Sequence, residues 1–254
     1  MNEEKQILPN YSLIGSGGGA LLACLIASGK PLQDIPHIMQ KIYNLKTIKR
    51  TRYVRLMMSL AGLLQHKITD SILDETRFRR ILDETFGDQM LEHLPIKTYV
   101  QTTDFVTGKA RVLENGRLAD VLYASNAMYP LLPPIQIHGQ WLVDGCFSSI
   151  LPLPRAFQLN PDLIIACHIS RQNEPVNNNI ECLSNYVIKT CSYSQTSQRT
   201  ILVNVFEKDT HFLFFSFDKN IGFWDAEKLP EILAMGDKSI ENDREYLETL
   251  LRDD

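Results

Sequence analysis

The chain has 254 residues, of which 44% are hydrophobic, 22% charged and 9% aromatic. That balance excludes disordered, collagen-like and fibrous classes, and the length allows a sizeable core in one large domain or two small ones. With 26 basic and 30 acidic residues the formal net charge is −4, which argues against a polyanion-binding protein and so against nucleic acid as a partner.

The first apolar element, Tyr11–Ile14, is short enough for a strand and runs straight into Gly15-Ser16-Gly17-Gly18-Gly19. Leu21–Ser28 follows, apolar nearly all round and closed by Gly29. This pattern predicts a helix buried on every side with a glycine just past its C-terminus. Residues 32–44 and 51–65 read as helices, the second amphipathic and led by the basic stretch Lys46–Arg55. Such a stretch suits either a solvated helix start or contact with anionic lipid headgroups. Another helix is expected to begin at Asp70 or Ser71. Ile96–Thr102 and Ala110–Leu113 read as strands around a Thr107-Gly108 turn, and Leu118–Asn126 as a helix ended by the prolines that follow. Ile135–Ile137 and Trp141–Val143 flank His138-Gly139-Gln140 like a hairpin, and Asp144-Gly145 comes next. Leu163–Cys167 is an unbroken apolar run of the kind seen in covered strands. Arg171–Ser197 predicts a surface excursion, Ile201–Phe206 and Phe212–Phe217 late strands, and Pro230–Leu251 a closing amphipathic helix. The alternation of strands and helices predicts a single α/β domain over residues 1–254, built on a largely parallel central sheet.

No apolar stretch approaches the roughly 18–20 residues of a membrane span, and the acidic N-terminus leads into no signal-type segment. The expected location is the cytoplasm. The five cysteines (Cys24, Cys146, Cys167, Cys182 and Cys191) are widely spaced, with no C-x-x-C pair. They predict reduced thiols rather than a disulfide framework. No His, Cys or carboxylate cluster has metal-ligand spacing, so neither metal nor cofactor is expected.

Chemistry concentrates at two places. A glycine-built turn from strand to helix offers backbone N–H groups and a helix dipole to an anion, and it can hold a side chain exposed at its tip. The second place is Ser125–Pro154, where an Asp-Gly follows a strand-like run downstream of a proline-rich loop.

These segments resemble the bacterial patatin-like phospholipase family. Leu13–Gly29 follows its strand, G-x-S-x-G-[AS] elbow and buried helix ending in Ala-Ser-Gly. Ser125, Ala127, Pro130, Pro133, Pro134, Gly139, Trp141, Val143, Asp144 and Gly145 fit its later S-x-A-x-P…V-D-G block, and Thr103-Asp104 with Thr107-Gly108 its middle strand and turn. The resemblance implies a three-layer α/β/α sandwich and a Ser–Asp dyad that hydrolyses lipid acyl esters. It assigns Asp144 as general base, Gly15, Gly18 and Gly19 as elbow and oxyanion backbone, and Gly145, Ser125 and Pro130 as motif support. It also implies a lipid or acyl-ester ligand and a location peripheral to the inner membrane face.

Two departures stand out. Gly15 and Gly19 frame Gly17, so the nucleophile position holds a residue without a side-chain oxygen. Ser16 is the nearest hydroxyl, but adjacent side chains in a tight turn diverge, and about 1 Å of misplacement can cost two orders of magnitude in rate. Cys146, also a nucleophile by type, sits on the loop of the base rather than at the elbow. The residues before Gly15 contain no glycine, so the family's first strand and G-G-G-x-R-G oxyanion loop have no counterpart in this sequence. The expectation is a patatin-like homologue with hydrolysis lost or strongly impaired, acting through lipid or protein binding. Three origins stay open: a natural pseudoenzyme, a replaced serine, or a truncated gene product. So do an active hydrolase using Ser16 and Asp144, and a chain whose sheet is completed by a protein partner.

Overall fold

β1 (Leu13–Ser16) runs into a tight turn through Gly15, Ser16 and Gly17. A Cβ on Gly15 would fall 2.4 Å from the Ala20 Cα, because α1 (Gly18–Ala27) folds directly back onto the strand. Gly17 then takes φ 54° and ψ −124°, a region that L side chains rarely occupy. In α1 the residues Ala20, Leu21, Ala23, Cys24, Leu25 and Ala27 are buried. Leu22 is 42% exposed and Gly19 is open to solvent, so one stripe of this apolar helix faces outward, where burial on every side was expected. Gly29, at φ 70°, closes the helix as its sequence position suggests.

The computed structural model describes residues 11–44, 73–171, 209–217 and 228–250. The expected helix over 51–65, the basic stretch Lys46–Arg55, the excursion after Arg171 and the strand Ile201–Phe206 lie outside the described residues, as do Cys182 and Cys191. α2 covers Ile35–Ile42, and α3 covers Glu75–Phe86. The start of α3 falls later than Asp70 or Ser71 because Asp74 is the cap: its carboxylate accepts the Arg77 N–H at 3.4 Å.

β2 (Thr98–Asp104) and β3 (Ala110–Leu113) are followed by α4 (Leu118–Asn126), and then by β4 (Ile135–Ile137) and β5 (Gln140–Asp144). His138 and Gly139, both at positive φ, make the two-residue hairpin loop between β4 and β5. A 3-10 turn (Gly145–Phe147), α5 (Leu153–Gln158), β6 (Leu163–Arg171), β7 (Asp209–Phe217) and α6 (Leu229–Leu250) complete the order.

The class is α/β, in keeping with a three-layer α/β/α sandwich. The five-stranded sheet is mixed rather than largely parallel: β1 and β2 are parallel, whereas β2–β3, β2–β5 and β4–β5 are antiparallel. Among the described residues β6 and β7 form a separate parallel pair. Connection length accounts for two of the antiparallel pairs: β2–β3 and β4–β5 are joined by short turns, which can link only antiparallel neighbours.

The register around β2 places the site. Val100 pairs with both Gly15 and Leu113, and Thr102 with both Arg111 and Asp144. Each residue has two edges, so β3 occupies one side of β2, while β1 and β5 share the other, end to end. They meet between Gln101, opposite Ser16, and Thr102, opposite Asp144. α1 and α4 pack on β2 and on each other, so they cover the same face. Beneath them lies a continuous core including Leu21, Leu25, Leu82, Leu122 and Tyr123, each fully buried aliphatic contributing about 1.5–3 kcal/mol.

Candidate active site

The C-terminal ends of β1 and β5 bring Gly17 and Asp144 face to face. A Cβ built on Gly17 would lie 3.4 Å from Asp144 Oδ1 and 3.7 Å from Oδ2, so a side chain there would point straight at the carboxylate. The elbow is held from below: Ser125 Oγ accepts the Gly17 N–H at 3.0 Å and donates to the Gln101 carbonyl at 2.7 Å. The N–H groups of Gly18 and Gly19, in the first turn of α1, meet no acceptor among the described residues and remain available to a developing negative charge. Gly15 is sterically required, whereas a Cβ on Gly19 would meet nothing within 4 Å. Of the two framing glycines, only the first is demanded by packing.

Asp144 is fixed through its backbone. Its N–H donates to the Ala127 carbonyl at 3.1 Å, and its own carbonyl accepts the Thr103 hydroxyl at 2.8 Å. Oδ1 accepts the Cys146 N–H at 2.8 Å. Gly145 admits no other residue: a Cβ there would lie 2.2 Å from the Gln101 carbonyl oxygen and 2.6 Å from Ser16 Oγ. Asp144 is only 3% exposed, and burial pushes its carboxyl up to about 6, against the lowering pull of its bonds from Cys146. A carboxyl so placed is suited to taking and returning a proton near neutrality. Pro130 follows a cis peptide bond with Tyr129, in the loop between α4 and β4.

Ser16 is buried, and its hydroxyl contacts Cys146 Sγ at 3.7 Å and forms no hydrogen bond with Asp144. Cys146, expected to stay on the base's loop, reaches the elbow: its Sγ lies 3.1 Å from the Cβ position at Gly17. The turn Gly145–Phe147 carries it there, a placement that sequence spacing does not reveal. Burial and the neighbouring Asp144 charge push its thiol well above the usual range, so it is held as S–H.

Tyr43 is a further neighbour with no sequence signal. Its hydroxyl donates to Asn126 Oδ1 at 2.7 Å and lies 3.2 Å from the Cβ position at Gly18. Burial, then the Asp144 charge, raises its pKa. Tyr43 and Asn126 also border a small apolar recess lined by Leu73, Phe78, Met128 and Leu131. Among the described residues no cluster of His, Cys, Asp or Glu could hold a metal ion, and no helix is long and apolar enough to cross a membrane.

A sequence model of the patatin-like phospholipase family matches residues 5–157. The chain is also similar to an uncharacterized NTE family protein of Mycobacterium bovis, 28% identical over 166 residues that cover 63% of this chain and 42% of that protein. An uncharacterized NTE family protein of Mycobacterium tuberculosis matches to the same extent. The lysophospholipase nte1 of Emericella nidulans is 30% identical over 92 residues, 36% of this chain and 6% of that protein. The chain thus spans less than half the length of these curated relatives. The family match takes in both the elbow at Gly17 and the Asp144-Gly145 turn that faces it, and the chain belongs to the patatin-like phospholipase family.

Proposed function

We propose that this chain is a homologue of lipid acyl hydrolases in which hydrolysis is lost or strongly reduced, and which acts by binding an acyl lipid or a protein partner. The observation that carries the reading is the place of Gly17. The elbow has the backbone conformation of a nucleophile turn, its N–H is anchored, two further N–H groups have no acceptor among the described residues, and a carboxylate with a raised pKa faces it. An acyl transfer there would need an oxygen at position 17 to add to the carbonyl while its proton passes to Asp144, and glycine supplies none. Loss of a nucleophile in another hydrolase costs about six orders of magnitude, leaving only binding and oxyanion effects.

The alternative is an active hydrolase that uses Ser16 with Asp144, or one completed by a partner chain. The direction of the Ser16 hydroxyl, toward Cys146, weighs against the first form. The test is incubation of the purified chain with a p-nitrophenyl acyl ester and with a fluorophosphonate, followed by mass mapping. The expected result is background hydrolysis and no label. A label on Ser16 that vanishes in Ser16→Ala, together with ester turnover, overturns the proposal. Phosphatidylcholine vesicles and lysophosphatidylcholine serve as binding probes for the retained lipid affinity, which places the chain peripherally at a membrane.

A further inference from the structure

We infer that Cys146 closes the space vacated at Gly17, so that the two positions form a matched pair: a side chain restored at 17 is accommodated with less strain when the thiol is removed. This rests on reading Gly17 as the emptied nucleophile position. The nearest atom to the Gly17 Cβ position is neither carboxylate oxygen but Cys146 Sγ, at 3.1 Å against 3.4 and 3.7 Å. A carbon and a sulfur do not pack that closely without one of them giving way.

The thiol has little room to give. The Cys146 N–H is bonded to Asp144 Oδ1 at 2.8 Å, and its Sγ rests against Ser16 Oγ at 3.7 Å. The preceding Gly145 leaves no room for a Cβ beside the Gln101 carbonyl, so the turn packs closely on β2. Rotation of the Cys146 side chain would break its contact with Ser16. The site is therefore closed twice over, by the missing oxygen and by a neutral thiol standing beside the line from position 17 to Asp144. It follows that Gly17→Ser alone restores little, because the new hydroxyl is pushed off that line. A displacement of about 1 Å is enough to cost two orders of magnitude.

The experiment compares four full-length proteins: wild type, G17S, C146A and the double variant. Melting temperatures test the pairing. The drop caused by G17S is expected to be clearly smaller in the C146A background than in the wild type, since the φ strain at position 17 is common to both and only the Sγ contact differs. Additive shifts overturn the pairing. If G17S does not fold, Gly17→Ala, which adds the Cβ alone, takes its place in the same cycle. Failure to fold in both backgrounds likewise overturns the pairing, because the thiol is then not what excludes the side chain.

Fluorophosphonate labelling tests the reading beneath it. The hydroxyl oxygen at position 17 adds to phosphorus, fluoride leaves and the hydroxyl proton passes to Asp144. Labelling at position 17 is expected to be at least about tenfold faster in the double variant than in G17S. Equal rates in the two count against the pairing. Non-additive melting shifts with no label in either protein keep the pairing and overturn the dyad reading.

Discussion

Asp144 is where the site's chemistry and the protein's stability meet. In an unfolded chain its carboxyl ionises near 3.8, and in the fold near 6, so between those values the native state binds the extra proton. The stability that this proton confers is complete below about pH 4 and is lost as pH rises to about 6. The loss amounts to about 1–3 kcal/mol by linkage, and stability is flat above that window with respect to this group. Asp144→Asn retains an oxygen for the Cys146 N–H but carries no charge. Its stability relative to wild type is therefore expected to climb by that amount between pH 4 and 6, as read from urea midpoints at successive pH values. A constant difference across the window would mean that the buried carboxyl is not the titrating group. The same burial that costs stability is what raises the pKa of this carboxyl, and the carboxyl lies opposite a glycine.

The β1–α1 elbow shows which parts of a motif are packing and which are chemistry. A Cβ at Gly15 would meet the backbone of Ala20 and Gly19 at 2.4–2.6 Å. Backbone cannot step aside as a side chain can, so Gly15→Ala is expected to cost about 3 kcal/mol or more, or to prevent folding. Gly19 sits in the first turn of α1 with open space around its Cα, so Gly19→Ala is expected to be neutral or to stabilise by up to about 1 kcal/mol. Thermal melts show a large drop for Gly15→Ala and none for Gly19→Ala if the elbow is built as described.

This contrast also marks what a sequence can disclose. Leu118–Asn126 was legible to the residue, its apolar spacing bounded by the prolines beyond. The hairpin around His138-Gly139 was legible to within a residue, its second strand beginning at Gln140 rather than Trp141. Local chemistry sets such elements. The direction of β5 against β2 and the reach of Cys146 to the elbow were not legible, because each depends on which strand edge is shared with a partner far along the chain. The pairing of Gly17 with Asp144 came through family resemblance rather than through spacing, and the contact of Ser16 with Cys146 depends on where a turn far along the chain is placed.

For the molecule as a whole, β2 is the member on which everything else depends. It is paired along both edges at Val100–Thr103, and one of those edges carries the ends of both strands that form the site. Thr103 and Gln101 extend the hold beyond the ladder: Thr103 Oγ1 bonds the Asp144 carbonyl and Ser148 Oγ, and Gln101 Nε2 donates to Ser148 Oγ at 3.0 Å. Loosening β2 would separate Gly17 from Asp144 at once, so the geometry of the site should persist for as long as the global fold does. Amide exchange reads this directly. The amides of Val100–Thr103 are expected to exchange only through global unfolding, whereas those of β4, at the sheet's edge among the described residues, open locally and far sooner. If Thr102 and Thr103 exchanged as fast as Ile135–Ile137, β1 and β5 would not be anchored on a common strand. The meeting of elbow and carboxylate would then be a property of two separate loops rather than of the sheet.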